Sequence, residues 1–197
     1  RVSSQAWKHA MRKECRGMFA EDDLGNRTKN VVQLVAKEMQ SIDASLDEKK
    51  CLKKASDALK AAGISLKAKK EEIEKADALF FMSNRQAKEI ARLACGDTAD
   101  KNDFKKALKE YPSVDIALFG RRAASDPTLN YDAASQVAHA ISTHAVQNEY
   151  DYFTAVDDIS EDDNAGAGHL GTVEFNSSTL YRYANVNVSE LRKTLDD

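Results

Sequence analysis

Basic side chains recur at helical spacing in two places. Lys8, Arg12 and Arg16 stand at i, i+4 and i+8, and so do Lys101, Lys105 and Lys109, with Lys106 alongside. Positions three and four apart share one face of a helix, so each set predicts a cationic edge. Such an edge is usually a solvated face, yet cations spaced along a helix also match phosphates spaced along a nucleic acid. Ser3, Ser4 and Gln5 precede the first set. At a helix start, hydroxyls, an amide and an ammonium can all meet phosphate oxygens. A plain N-cap is the rival role for Ser3.

Other constellations are weaker. Gly166, Gly168 and Gly171 satisfy G-x-G-x-x-G. That pattern cradles a dinucleotide only between a strand and a helix, and here strand-forming residues follow it. His139 and His144 are five apart and so do not share a helix face. With Asp157 and Asp158 they could form a hydrolytic metal site, although hydrogen-bonded structural roles are the simpler expectation. Ser142 lacks a third, orienting partner in sequence. The acidic run Asp157, Asp158, Glu161, Asp162 and Asp163 lacks the alternate ligands and closing glutamate of a calcium loop. Cys15, Cys51 and Cys95 are widely spaced and unpaired by any CxxC motif, which predicts reduced, partly buried thiols and no zinc framework. No catalytic residue, metal or cofactor is expected.

The net charge of −3 hides an asymmetry: residues 1–112 carry +6 and residues 113–197 carry −9. Residues 1–20 hold five basic groups against Glu14 alone, so a local phosphate-binding face is compatible with an acidic total. Sign asymmetry also suits head-to-tail stacking of identical subunits. At 197 residues the chain has room for one domain with a large insertion. No apolar run approaches the ~20 residues of a membrane span, and a cytosolic protein is the expectation. The chain begins at Arg1 and not Met, which reads as an internal piece of a longer polypeptide.

The elements that must position these groups follow from periodicity. A first helix is expected from Ser3 or Ser4 to about Phe19, with Trp7, Met11, Cys15 and Met18 on its apolar face. From about Leu24 to Tyr111 the pattern is helical almost throughout. Val31, Val32, Val35, Met39 and Ile42 mark one helix; Cys51, Leu52, Ala55, Leu59 and Ala62 mark another, ended by Gly63. Ile73, Ala76 and Phe80 suggest a third. Ser83 with Gln86 makes a capping box for a fourth that stops near Gly96. A fifth, with Phe104, Leu108 and Tyr111 inward, meets Pro112. Then the period changes. Val114, Ile116 and Leu118 alternate with Asp115, Ala117 and Phe119, the pattern of a strand. Asp132 is expected to cap a short helix bearing Val137 and Ile141. Residues 150–156, 172–175 and 179–188 read as strands, and Ser189 with Glu190 opens a last helix.

Several blocks resemble the backbone subunit of Cascade, the type I-E CRISPR surveillance complex. They are SSQAWKHAMRK (3–13), AHAISTH (138–144), YFTAVDD (152–158), GAGHLGTVEF (166–175) and LYRYANVN (180–187). The resemblance implies an α+β fold: a partial ferredoxin-like, RNA-recognition-motif-like palm, a helical fingers insertion and a protruding thumb hairpin. It divides the chain into a palm helix (1–20), fingers (21–112), a palm strand (113–119), a thumb (120–171) and a palm strand with a short helix (172–197). The family's palm also has an opening strand and a closing helix and strand, which this chain lacks. The implied function is antiviral, not enzymatic: copies polymerise as a helical filament along a guide RNA and present it for pairing with target DNA, beside other Cascade subunits in the cytoplasm. Implied RNA contacts are Ser3, Ser4, Gln5, Lys8, Arg12 and Arg122, with Tyr152, Phe153 and Thr154 on the thumb. Implied DNA contacts are Lys101, Lys105, Lys106 and Lys109. Two other classes stand beside this one: a metal-dependent ribonuclease using Asp157 and Asp158, and a helical protein-interaction adaptor resting on the fingers alone.

Overall fold

The computed structural model describes residues 1–68, 72–96, 98–155 and 169–195. It is a mixed α+β protein whose strands form small two-stranded antiparallel ladders among the described residues. Two compact units emerge: residues 5–137 with 184–197, and residues 1–4 with 138–183.

The larger unit begins with helix α1 (Ser4–Met18), in which Trp7 and Met11 are half-buried and Cys15 is buried, as the apolar spacing predicts. Met18 departs from that face and is 71% exposed. Strand β1 (Gly25–Thr28) follows, then helices α2 (Val31–Ile42) and α3 (Glu48–Ala61). Val31, Val32, Val35 and Met39 of α2 pack with Cys51, Ala55 and Leu59 of α3 in one apolar cluster. Gly63 leaves α3 at φ 97°, the left-handed exit expected of it. Short strands β2 (Leu66–Lys67) and β3 (Lys75–Ala76) pair, and β4 (Phe80–Ser83) pairs with β1. Ser83 caps α4 (Asn84–Cys95) with the reciprocal Gln86 bonds of a capping box. Helix α5 (Lys101–Lys109) is capped likewise by Asp100 and Asp103. All three cysteines are free thiols, with Cys15 and Cys51 buried.

Four expectations give way to tertiary context. The helix expected on Ile73, Ala76 and Phe80 is instead β3 and β4, because the Ala76 amide is taken by the Lys29 carbonyl and Asp77's by Ser65. Tyr111 is 50% exposed rather than inward. Pro112 bars its right-handed helical conformation, φ is 57°, and its carbonyl accepts from the Ser83 hydroxyl. The expected palm strand at 113–119 is helix α6 (Val114–Phe119). Asp115, Ile116 and Ala117 are buried consecutively, so burial is not alternating and a strand has no exposed face to offer. The short helix expected after Asp132 is absent: strand β5 (Ser135–Val137) runs there and pairs with β10 (Ala184–Val186), a partner some fifty residues away in the chain. Helix α7 (Val188–Leu195) closes the unit.

In the smaller unit, β6 (Ile141–Ser142) pairs with β9 (Leu180–Tyr181), and β7 (Glu149–Ala155) pairs with β8 (His169–Phe175) over seven residues. Strands β7, β8 and β9 overlap the stretches that alternation marks, whereas β6 takes Ile141, which was expected on the short helix after Asp132.

Candidate nucleic-acid interface

Residues 5, 8, 9 and 12 of α1 stand at i, i+3, i+4 and i+7, a single helix face. That face forms one wall of a groove of about 440 Å³. Gln5, Lys8, His9 and Arg12 line it from α1, Arg27 from β1, and Gly120, Arg121 and Arg122 from the turn after α6. Apolar lining comes from Leu79, Phe81, Phe119, Tyr131 and Ala133. Five of these side chains are cationic and none is acidic, so the groove lining itself is positively charged.

Each cation is held differently. Lys8 is half-buried and makes no ion pair among the described residues. Arg12 lies over the Phe81 ring at 4.1 Å, with Nε 3.5 Å from Asp115 Oδ2. Burial lowers its pKa, opposed by the neighbouring Asp115 carboxylate. Arg16, third in the basic row, is not part of the groove, and its Nη2 donates to Asn26 Oδ1 at 3.1 Å. Arg122 is largely exposed and pairs with Asp132 at 3.2 Å on the surface, a contact weak enough to yield to a ligand.

Arg121, adjacent to the expected Arg122, is only 2% exposed. Its Nε donates to the Leu129 carbonyl (2.8 Å), Nη1 to the Phe81 carbonyl (3.2 Å) and Gln86 Oε1 (3.0 Å), and Nη2 to the Leu108 carbonyl (2.7 Å). The guanidinium also lies 4.9 Å from both the Phe80 and Tyr131 rings. Burial pushes its pKa down to about 10, still cationic at neutral pH. Its partners are neutral acceptors and two aromatic rings, and no carboxylate pairs with it among the described residues.

The structure therefore brings Gln5, Lys8, Arg12 and Arg122 together. It adds Arg27, His9 and Arg121, which the sequence reading missed. Arg27 was hidden because β1 fell inside a region read as helical, although Gly25-Asn26 was a turn signal. Ser3 and Ser4 belong to the smaller unit, where the Ser4 amide donates to His139 Nδ1 at 2.8 Å. His144 accepts the Thr179 amide at Nε2 and meets the Ala145 carbonyl at Nδ1. Both imidazoles thus serve the backbone, and Asp157 and Asp158 lie outside the described residues, as do Gly166 and Gly168. No group of three His, Cys, Asp or Glu side chains suited to a metal stands together among the described residues.

Tyr152, Phe153 and Thr154 sit on β7, away from the groove residues in sequence and in a separate unit. On α5, Lys105 is committed to Asp126 at 2.7 Å and Lys106 lies 3.6 Å from Glu110. Lys101 and Lys109 are exposed and carry no ion pair among the described residues.

The family model of the CT1975-like protein, Cas_CT1975, matches residues 1–197. The chain belongs to the CT1975-like protein family. A solved structure described as a CRISPR RNA-guided surveillance complex, pre-nicking, is similar over the whole chain at 30% identity and TM-score 0.83. A second, described as a CRISPR RNA-guided surveillance complex, is similar at 26% identity and TM-score 0.68. The chain covers 58% and 56% of those two chains, a little over half of each. No curated protein matches. Family and fold agree with the sequence resemblance to a Cascade backbone subunit. No helix of the described residues is long and apolar enough to cross a membrane.

Proposed function

We propose that this chain is an RNA-binding backbone subunit of a type I-E-like surveillance complex. Copies polymerise along a guide RNA, hold its phosphates in the cationic groove, and present its bases to target DNA. One observation carries the reading: Lys8, Arg12, Arg27, Arg121 and Arg122 converge on a groove whose lining includes no carboxylate. Phosphodiesters are the ligand class that such a groove favours. Pairing between guide and target reads the sequence, so the subunit needs cations and aromatic surfaces rather than a nucleophile, and its role is binding and not catalysis. In this reading the groove belongs to a ferredoxin-like, RRM-like palm, helices α2 to α5 to the fingers, and the β7–β8 ladder to the thumb. Its partners are guide RNA, target DNA, further copies of the chain and other subunits of the complex.

The test is binding of a labelled single-stranded RNA by the 197-residue chain across a salt series, with native mass spectrometry of the mixture. Expected are affinity that falls as salt rises and several protein copies per RNA. Binding that is absent or insensitive to salt points to the helical adaptor instead. Divalent-dependent RNA cleavage abolished by Asp157→Ala points to the ribonuclease.

A further inference from the structure

Among the described residues, Arg12 is the one groove cation held by a buried carboxylate. Asp115, on α6, is 2% exposed, and three different contacts fix it. Its Oδ1 accepts the Gly25 amide at 3.0 Å and the Ser113 hydroxyl at 2.6 Å. Its Oδ2 is left for Arg12. Gly25, whose amide the carboxylate accepts, is itself closely packed: a Cβ there would sit 2.9 Å from Met82 O, Phe81 Cε2 and Ser113 Oγ. Phe81 supplies a flat surface beneath the guanidinium. Yet Arg12 Nε is buried without a hydrogen-bond partner among the described residues, and no protein acceptor there takes either Nη. The side chain is fixed in place while its donors stay unspent.

We propose that Asp115 is a positioning residue for phosphate binding: with Phe81 it holds the Arg12 guanidinium in one orientation at the groove, ready to donate to a phosphodiester. This rests on the groove being the guide-RNA site. An arginine ordered in advance spares the ligand the entropy of ordering it, so pre-organisation raises affinity even though the carboxylate lowers the local positive charge. The two effects have opposite signs. If Asp115 is only a counter-charge, removing its charge strengthens RNA binding and steepens the salt dependence. If it positions Arg12, removing its charge weakens binding.

The measurement is fluorescence anisotropy of a labelled single-stranded RNA with the 197-residue chain and its Lys8→Ala, Arg12→Ala, Arg12→Lys, Asp115→Asn and Arg12→Ala/Asp115→Asn variants, each checked for folding by circular dichroism. Asparagine keeps an acceptor for Gly25 and Ser113. Asp115→Asn is expected to bind roughly fivefold more weakly, within the range for residues in direct contact, and to change nothing further in the Arg12→Ala background. Arg12→Lys keeps the charge but not the planar fork, so it is expected to lose about as much as Arg12→Ala. That variant carries the test if Asp115→Asn does not fold. The proposal is overturned if Asp115→Asn binds as tightly as the parent or tighter, if its effect persists without Arg12, or if Arg12→Lys binds like the parent. Loss of binding in Lys8→Ala and Arg12→Ala with none in Asp115→Asn removes only the positioning role. Unchanged binding in both groove variants removes the groove as the RNA site, and this proposal with it.

Discussion

The ring of Phe153 lies across Gly171, the residue directly opposite it in the β7–β8 ladder. A Cβ at position 171 would run into that ring. Gly171→Ala is therefore expected to displace Phe153 and loosen the ladder by about 1 kcal/mol, the lower end of what overpacking costs. Amide hydrogen exchange across residues 149–155 is the readout, and unchanged protection would contradict the contact.

Neighbouring residues of a strand point to opposite faces, so Tyr152 and Thr154 share one face and Phe153 the other. Tyr152 is 72% exposed and lies opposite Thr172, with Tyr150 on its face. Phe153 shares its face with Val173 and Phe175. Tyr152→Ala should weaken RNA binding by the ~1 to 3 kcal/mol of one base stack and leave hydrogen exchange in the ladder unchanged. Phe153→Ala should instead raise that exchange. The reverse pattern would exchange the roles of the two aromatic residues.

Lys8 and Arg27 reach the groove from α1 and β1 without an ion pair among the described residues. Lys8→Ala and Arg27→Ala should each weaken RNA binding and make the slope of log affinity against log salt shallower by about 0.7 to 1. Equal affinity and slope in a variant would exclude that residue as a phosphate contact.

Arg121 ties α4, α5 and the turn at Pro127–Leu129 together through carbonyls and Gln86. Arg121→Met removes the guanidinium donor from the Leu129 carbonyl, whereas the Leu108 carbonyl keeps Gln86 Nε2 and Gln86 Oε1 keeps the Ser83 amide, so the cost is about 2 kcal/mol. A thermal melt should show a fall of several degrees, and a melt within a degree of the parent would mean that the acceptors are satisfied another way.

Asp126 caps the Pro127–Leu129 turn through Thr128 and receives Lys105. Hydrogen bonds from Lys105 and Thr128 hold its pKa well below the usual carboxylate range. A lowered folded-state pKa means that the contribution is full above the ordinary carboxylate value of about 4 and is lost as pH falls further. The melting-temperature gap between the parent and Asp126→Asn should be constant from pH 7 to about 5 and close below about 4. A gap independent of pH would contradict the pairing. By the same geometry, Lys101→Ala and Lys109→Ala should reduce DNA affinity more than Lys105→Ala, which mainly removes a structural ion pair.

Much of the larger unit was legible locally. The Ser83–Gln86 box, the apolar faces of α2 and α3, and the exit at Gly63 each follow from a few adjacent residues. Half of the groove was legible too, since Gln5, Lys8 and Arg12 share one helix face at fixed spacing. The rest was not. VDIALF alternates as a strand should, but Asp115 turns inward to meet Gly25, Ser113 and Arg12, and a helix delivers it there. Arg27 and Arg121 lie on elements whose placement depends on backbone pairing between Gly25–Thr28 and Phe80–Ser83, and between Arg121 and Tyr131.

The sequence by itself determined helices α1 to α5, the Ser83–Gln86 cap and the cationic edge of α1, because helix bonds and caps close within four residues. Only the tertiary structure decided which cations face a common groove, which one is buried, and which carboxylate holds Arg12 in place. Those relationships join residues more than a hundred positions apart, such as Arg12 and Asp115, and burial, not local spacing, sets their chemistry.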